Sequence, residues 1–155
     1  MIVDSGHRHE FDLGAVRDVQ EGKGRCDLLP LDVVAELYND DIFSDINNFI
    51  RSGDTAHLYE VLKKIAPKFG SYSTMLLEVS IHFEEGAKKY NERNWEKGIN
   101  AKNYINSGVR HLLKWIRGDE DENHERAFVF NIMCCIWTCK NKPELNDFRK
   151  ETEND

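Results

Sequence analysis

The segment from Ala127 to Trp137 constrains the fold more than any other part of the chain, because it is apolar nearly all round. Asn131 is the one strongly polar side chain in that run. A helix that is hydrophobic on every side is stable only when other elements surround it. The apolar run has about half of the roughly 20 residues that a membrane-spanning helix needs. It therefore predicts a buried helix in the core of a bundle.

Other segments show the apolar periodicity of amphipathic helices, and none of the chain shows useful β-alternation. The predicted helices cover about residues 31–38, 42–51, 55–66, 71–91, 101–117 and 123–139. The fold prediction is all-α, a bundle of four or more helices. We expect one domain over 1–155, with an irregular arm (1–29), a short-helix insertion (30–70), core helices (71–139) and a tail (140–155).

Composition excludes several classes of function. A net charge of -7 argues against a nucleic-acid polymer as partner. The first residues are polar and carry no apolar signal-peptide core, and we expect no membrane span because no apolar run is long enough. The cysteines include no C-x-x-C pair, so we expect reduced thiols in a cytoplasmic protein rather than a zinc site.

The helix from about 71 to 91 carries a stripe of charged and polar side chains. Glu78, His82, Glu85 and Lys89 fall on one narrow face at 100° per residue. This stripe is either a solvated face with a Glu85–Lys89 ion pair, or one wall of a site.

Glu84 differs from the other acids of this helix, because it falls within the apolar arc of Leu77 and Ile81. A buried carboxylate must be paired, protonated or metal-bound. Lys88, one turn further on, is a simple partner. We therefore expect Glu84 to have the inward role among these acids.

Cations occur at two further places. Arg110, His111 and Lys114 share one side of the helix from 101 to 117, which is either a solvated basic face or a polyphosphate-binding face. Gly22–Arg25, which contains Lys23, is either a phosphate nest or part of a polar arm packed over the domain.

The last helix places His124 and Asn131 on one stripe, seven residues apart. A buried amide must form hydrogen bonds, or its burial costs about 1–3 kcal/mol. Asn131 therefore either ties two helices together or faces a polar pocket with His124.

Acids near cations suit phosphoryl chemistry, in which a protein mainly positions and neutralises. Acids of the 71–91 helix and of the acidic turn, which contains Asp121 and Glu122, are predicted to hold one or two Mg²⁺, with Mn²⁺ as an alternative.

Four stretches carry a family resemblance when they are taken as a set. They are GAVRDVQEGKGRCDLLP, HFEEGAKKYNERNWEKG, the Ser107–Arg110–His111 segment with GDEDENH, and the following helix with Ala127 and Asn131. Together they resemble the dATP/dGTP diphosphohydrolase domain proteins, which are common in phages and prophages. These proteins are regarded as relatives of the all-α, MazG-like nucleoside triphosphate pyrophosphohydrolases.

The resemblance implies Mg²⁺-dependent hydrolysis of dATP or dGTP to the monophosphate and pyrophosphate, with a metal-activated water attacking the α-phosphorus. It also implies a MazG-like helical core completed by oligomerisation, in the cytoplasm of a bacterial host. Together with the residues singled out above, the resemblance predicts the following site. The catalytic residues are Glu84, Glu85, His111 and Asp121; the metal ligands are Glu78, Glu84, Glu85, Asp121 and Glu122; the substrate-binding residues are Lys23, Arg25, Lys89, Tyr90, Asn94, Trp95, Arg110, Lys114, His124 and Asn131.

The chain departs from the family pattern in its acids. MazG-like enzymes carry E-x-x-E on one helix and E-x-x-D on the next, whereas this chain has His124 and Asn131 where the second pair belongs. We expect Asp121 and Glu122 to substitute. The alternatives are a module that binds a nucleotide without cleaving it, and a helical structural or partner-binding protein.

Overall fold

The apolar segment lies in helix α6 (His124–Asn141), which the other elements surround. In this computed structural model, residues 2–150 are described, so Met1 and the end of the predicted tail, 151–155, lie outside the described residues. Helix α5 (Ala101–Arg117) packs along α6 most extensively, and α4 (Tyr72–Lys89) packs on it as well. The prediction of a buried central helix is confirmed.

Three short helices precede this core. They are α1 (Leu31–Tyr38), α2 (Asp41–Ser52) and α3 (Ala56–Ile65), which pack against one another in order, and α3 also contacts α6. The described residues thus hold six α-helices, and the all-α bundle is confirmed. Within residues 2–150, no helix combines the length and apolar character that a membrane crossing requires.

Capping residues set the ends of the long helices. Ser71 caps α4 by accepting a hydrogen bond from the Thr74 N–H, and Asn123 caps α6 by accepting one from the Arg126 N–H. Gly118 ends α5 in the left-handed region, with φ +86°. This glycine turns the chain back into the acidic turn 119–122, next to the last turn of α5.

The N-terminal arm is less irregular than the sequence predicted. It contains a two-stranded antiparallel hairpin, β1 (Arg8–Glu10) and β2 (Val16–Asp18), in which His9 lies opposite Arg17. Strands of three residues are too short to produce a recognisable alternation of apolar and polar side chains, so the sequence pattern does not indicate them.

Hydrogen bonds from the loop after α4 hold this arm on the bundle. The Val16 N–H donates to Asn94 Oδ1 at 2.8 Å, and Asn94 Nδ2 donates to the Val16 carbonyl at 2.7 Å. The Asp18 N–H donates to the Tyr90 hydroxyl at 3.1 Å. Asn94 is buried, and its side-chain amide forms the two hydrogen bonds with β2 that a neighbouring strand would otherwise form.

Helix α4 faces the core differently from the sequence expectation. It buries Met75 and Val79, whereas Leu77 is 71% exposed and Ile81 37% exposed. Glu84 shares this outer side and is exposed. The prediction that Glu84 points inward is therefore wrong, because α4 has two apolar arcs and the described bundle covers only the other one.

Replacing Asn94 by Ala is expected to loosen the arm, because both polar groups of Val16 lose their partner. The free energy of unfolding should fall by about 1–3 kcal/mol. Urea unfolding measures this loss, and limited proteolysis should cut the arm earlier. Asn91→Ala, an exposed change in the same loop, is the matched control. Equal unfolding midpoints for the two variants would contradict the assigned role of Asn94.

Candidate functional site

A cavity of about 790 Å³ lies between the arm, the C-terminal part of α4, and helices α5 and α6. This volume is in the range of ligand-binding sites. Most of the site residues predicted from the sequence line it. They are Lys23, Lys89, Tyr90, Asn94, Trp95, Arg110, His111, Lys114, Asp121, Glu122 and Asn131.

The remaining predicted residues lie outside the lining: Arg25, Glu78, Glu84, Glu85 and His124. Arg25 forms an ion pair with Asp27 at 2.7 Å, and Glu78 accepts two hydrogen bonds from Arg126 of α6, at 2.8 and 2.5 Å. Among the described residues, no group of potential metal ligands includes an acid of α4. The predicted convergence of the α4 acids on the acidic turn is therefore not found.

A different group of potential metal ligands lies at the end of the cavity, where α5, the acidic turn and α6 meet. His111 Nδ1 is 2.9 Å from His124 Nδ1 and 3.3 Å from Glu122 Oε1, and His124 Nδ1 is 3.9 Å from the same oxygen. The exposed fraction of the side chain is 17% for His111, 1% for His124 and 12% for Glu122. Burial lowers the pKa of His111 to about 2, so this ring is neutral at pH 7.

The second nitrogen of His124 faces another acid. His124 Nε2 lies 2.7 Å from Asp121 Oδ1, and this hydrogen bond lowers the pKa of the Asp121 carboxyl. Asp119 completes a second, more open group with these two residues. However, Asp119 is held by Arg117 through two hydrogen bonds of 2.7 and 2.5 Å.

Arg17 supplies a cation that the sequence reading missed. Its guanidinium donates to Asn103 Oδ1 at 2.7 Å and to Asn131 Oδ1 at 2.9 Å, and it lies over the Tyr104 ring. Both acceptors are neutral amides, so these contacts leave its charge available to an anion in the cavity. No periodicity in the arm signals this placement, because it depends on the hairpin.

Asn131 combines both roles that its sequence left open. It is 1% exposed, lines the cavity, and accepts from Arg17 while donating to the Ala127 carbonyl at 2.8 Å. The amide therefore meets its hydrogen-bonding requirement inside α6 and joins the arm to that helix. Its predicted contact with a substrate stays a prediction.

Arg110 lines the cavity, and its guanidinium is hydrogen-bonded to the arm and to α5. It donates to the carbonyls of Lys23 and Gly24, at 3.3 and 2.8 Å, and to Gln20 Oε1 and Asn106 Oδ1, at 2.9 and 3.0 Å. The Gly22–Arg25 loop thus turns carbonyl oxygens toward α5. These contacts make Arg110 an anchor for the loop that the sequence offered as a phosphate nest.

Two lysines line the cavity, one from the arm and one from α4. Lys23 Nζ lies 2.9 Å from Asp18 Oδ2, and Lys89 Nζ donates to the Val3 carbonyl at 3.1 Å. Aromatic rings line the cavity beside them. Trp95 packs edge-to-face on Phe83, with ring centroids 5.7 Å apart. A flat, anionic ligand would find both kinds of contact here.

His82 also lines the cavity, although its sequence stripe allowed a solvated position. Its ring packs on Phe130 with centroids 4.6 Å apart. Burial, with help from the nearby charge of Arg17, lowers the pKa of His82 to about 4. The ring is therefore neutral at pH 7 and acts as part of an apolar wall.

This shift predicts acid sensitivity of the fold. An unfolded histidine has a pKa of about 6.5, so the unfolded chain binds more protons than the folded one between about pH 6.5 and 4. The contribution of His82 to the free energy of unfolding therefore falls as pH drops through this window. His82→Phe keeps a ring against Phe130 and should reduce the loss. Urea unfolding at about pH 7.5 and 4.5 measures it, and an unchanged pH dependence would refute the assignment.

Comparison with known proteins gives one family. The family model described as dATP/dGTP diphosphohydrolase, N-terminal, matches residues 62–148. No curated protein and no solved structure gives a match. The matched range contains α4, α5 and α6 and every residue of the His111, Glu122 and His124 group, and it spans more than half of the chain. This chain belongs to the dATP/dGTP diphosphohydrolase, N-terminal, family.

Proposed function

We propose that this protein hydrolyses dATP or dGTP to the nucleoside monophosphate and pyrophosphate, with a divalent cation, Mg²⁺ or Mn²⁺. One observation carries the proposal. The His111, Glu122 and His124 group lies at one end of a cavity that is lined by cations and aromatic rings. The family description names the same class of substrate.

The residues of this group fit a divalent cation. Two imidazole nitrogens and one carboxylate oxygen lie within 3.9 Å of one another, and they are mostly buried. His111, Glu122 and His124 would hold the ion. When bound, a divalent cation neutralises phosphate charge and lowers the pKa of water.

The chain's own residues would position the nucleotide. Arg17, Lys23, Lys89 and Lys114 line the cavity and can bind the triphosphate, whose charge grows on its oxygens during transfer. Trp95 and Tyr90 line the cavity, and aromatic rings can stack on a purine base. Holding both ends of the nucleotide fixes the phosphate chain relative to the ligand group, which lowers the entropic cost of reaction.

A second function is favoured by the placement of the α4 acids. Glu78 is paired with Arg126 and Glu84 is exposed, so the described site lacks the two acidic pairs of MazG-like enzymes. A protein that binds a nucleotide without cleaving it needs only the cations and the rings. A purely structural role is less favoured, because Arg17, His111 and Asn131 converge on one cavity.

The hydrolase predicts release of pyrophosphate from dATP or dGTP with Mg²⁺ or Mn²⁺. Glu122→Gln should lower the rate by about 100-fold or more, since it removes the only carboxylate of the buried group. Glu120→Gln, an exposed change in the same turn, is the matched control. A coupled pyrophosphate assay over all deoxynucleoside and ribonucleoside triphosphates measures both.

Two outcomes would contradict this proposal. No pyrophosphate from any of these nucleotides excludes the hydrolase, and thermal stabilisation by an intact nucleotide in EDTA would then favour the binding module. Loss of activity in Glu84→Gln, with Glu122→Gln active, would instead restore the α4 acids as metal ligands.

We also propose that the protein is a homo-oligomer through the outer face of α4. Leu76, Leu77 and Ile81 are 46%, 71% and 37% exposed and adjoin one another on this helix. Exposed apolar patches of this kind favour association with a second copy. Leu77→Glu should therefore lower the mass measured by light scattering after gel filtration. Leu28→Glu, at a 69% exposed leucine outside α4, is the control, and identical masses would contradict the interface.

The cysteines, the net charge and the family resemblance support a proposal for the compartment and the partner of this protein. None of the four cysteines forms a disulfide, which is typical of a reducing compartment such as the cytoplasm. A net charge of -7 suits a free nucleotide held by local cations better than a nucleic-acid polymer. We place the protein in a bacterial host cell, encoded by a phage or prophage.

A further inference from the structure

We infer that the metal held by His111, Glu122 and His124 is a transition-metal ion of the Mn²⁺, Fe²⁺, Co²⁺ or Zn²⁺ class rather than Mg²⁺, and that Asp121 is a positioning residue for His124. The inference deepens the proposed function and rests on its metal site. It narrows the choice between Mg²⁺ and Mn²⁺ in the proposed function to the transition metals, because two nitrogen ligands stand in place of the all-oxygen set expected from the α4 acids and the acidic turn.

The distances within the group fit one ion. The circle through His111 Nδ1, His124 Nδ1 and Glu122 Oε1 has a radius of about 2.0 Å, given their separations of 2.9, 3.9 and 3.3 Å. Bonds from Zn²⁺ and its neighbours to histidine nitrogen and carboxylate oxygen have this length. One point therefore lies at metal-bonding distance from all three atoms.

Asp121 determines which nitrogen of His124 is available. Its carboxylate lies 2.7 Å from His124 Nε2, so Nε2 carries the proton that this hydrogen bond needs. The lone pair of His124 then lies on Nδ1, toward His111 and Glu122. Such a carboxylate–histidine pair is the usual support of a metal-binding imidazole, because it sets both tautomer and ring orientation.

The arm orients the third ligand. Glu122 Oε2 accepts a hydrogen bond from the Val3 N–H at 3.0 Å, and its Oε1 is the oxygen that faces the two histidines. With His124 Nδ1 unprotonated, the 2.9 Å hydrogen bond between the two histidines has His111 Nδ1 as its donor, so metal binding would move that proton to His111 Nε2. After this change of tautomer, each of the three side chains offers one lone pair to a common ion.

The donor set decides the class of metal. Mg²⁺ binds oxygen ligands and gives up water reluctantly, whereas imidazole suits first-row transition metals. Two of the three ligands here are imidazoles. A site of this composition therefore binds Mn²⁺, Fe²⁺, Co²⁺ or Zn²⁺ in preference to Mg²⁺, with affinity rising along the series toward the later metals.

The second group, formed by Asp119, Asp121 and His124, is the less suitable site. A metal there would take His124 Nε2 away from Asp121 and would displace Arg117 from Asp119. The side chain of Asp121 is also 51% exposed, so water competes for it. We therefore place Asp121 behind the ligand and not on the ion.

Direct metal binding tests this inference without any measurement of activity. Metal-stripped full-length protein is titrated with Co²⁺, and visible absorption follows the ion. We expect one Co²⁺ per chain, with d–d bands typical of nitrogen ligands. Pulsed EPR of bound Mn²⁺ should show coupling to ¹⁴N. Calorimetry should show an affinity for Mg²⁺ that is at least about 100-fold lower than the affinity for Co²⁺.

Variants separate the roles within the group. His111→Gln and His124→Gln should each abolish the Co²⁺ bands, and Asp121→Asn should weaken binding by about 10–100-fold while the bands remain. Asp119→Asn and His82→Gln are the matched controls, since one belongs to the second group and the other is a cavity histidine outside both groups. Circular dichroism checks that each variant is folded. Because His111 is less buried than His124, His111→Gln should disturb the fold less. It therefore tests the ligand group even if His124→Gln does not fold.

The failures of this inference and of the proposed function are distinguishable. Mg²⁺ binding as tight as Co²⁺ binding, or Co²⁺ bands that survive both histidine changes, would overturn the inference even if pyrophosphate is released. Loss of the bands in Asp119→Asn alone would move the site to the second group. A tight nitrogen-bound metal without pyrophosphate release would leave the inference standing and reject the hydrolase.

Discussion

Burial of helix α6 is the constraint on which the rest of the structure depends. Its apolar surface needs neighbours on nearly every side, and α3, α4 and α5 supply them. The few polar groups of this helix must then find partners inside the core. Asn131 finds Arg17 of the arm, and His124 finds His111 and Asp121. Arg17, His111, Asp121 and Asn131 line the cavity, so polar contacts of the helix that makes the core lie beside the candidate site.

One part of the site lies within the residues that the family model matches, and another part lies outside them. The potential metal ligands His111, Glu122 and His124 lie within the matched residues 62–148, on α5, the acidic turn and α6. The arm lies outside that range, yet it supplies Arg17 and Lys23 and holds Glu122 through Val3. Its anchors, Arg110 and Asn94, belong to the matched part. The arm therefore completes a cavity whose other walls are the helices, and through Val3 it also contacts one member of the His111, Glu122 and His124 group.

Sequence periodicity located the helices closely, because amphipathic patterns and capping residues act over a few neighbouring positions. It was less informative about which face of each helix is buried. Helix α4 has two apolar arcs, and only packing against α6 decides that Met75 is buried while Leu77 and Glu84 are exposed. Arg17 was missed for a related reason, since its position depends on a hairpin of three-residue strands. The potential metal ligands His111, Glu122 and His124 were each singled out, but not as one group.

The amino-acid sequence by itself determined the all-α class, the order and extent of the helices, the buried position of α6 and the family. Each of these depends on local pattern or on a motif that can be read along the chain. Only the tertiary structure decided which polar side chains meet. His111 and His124 are 13 residues apart in the chain, and their nitrogens lie 2.9 Å apart because Gly118 reverses the chain between α5 and α6. Contacts of this kind depend on the angle and register of packed helices, which no single stretch of sequence encodes.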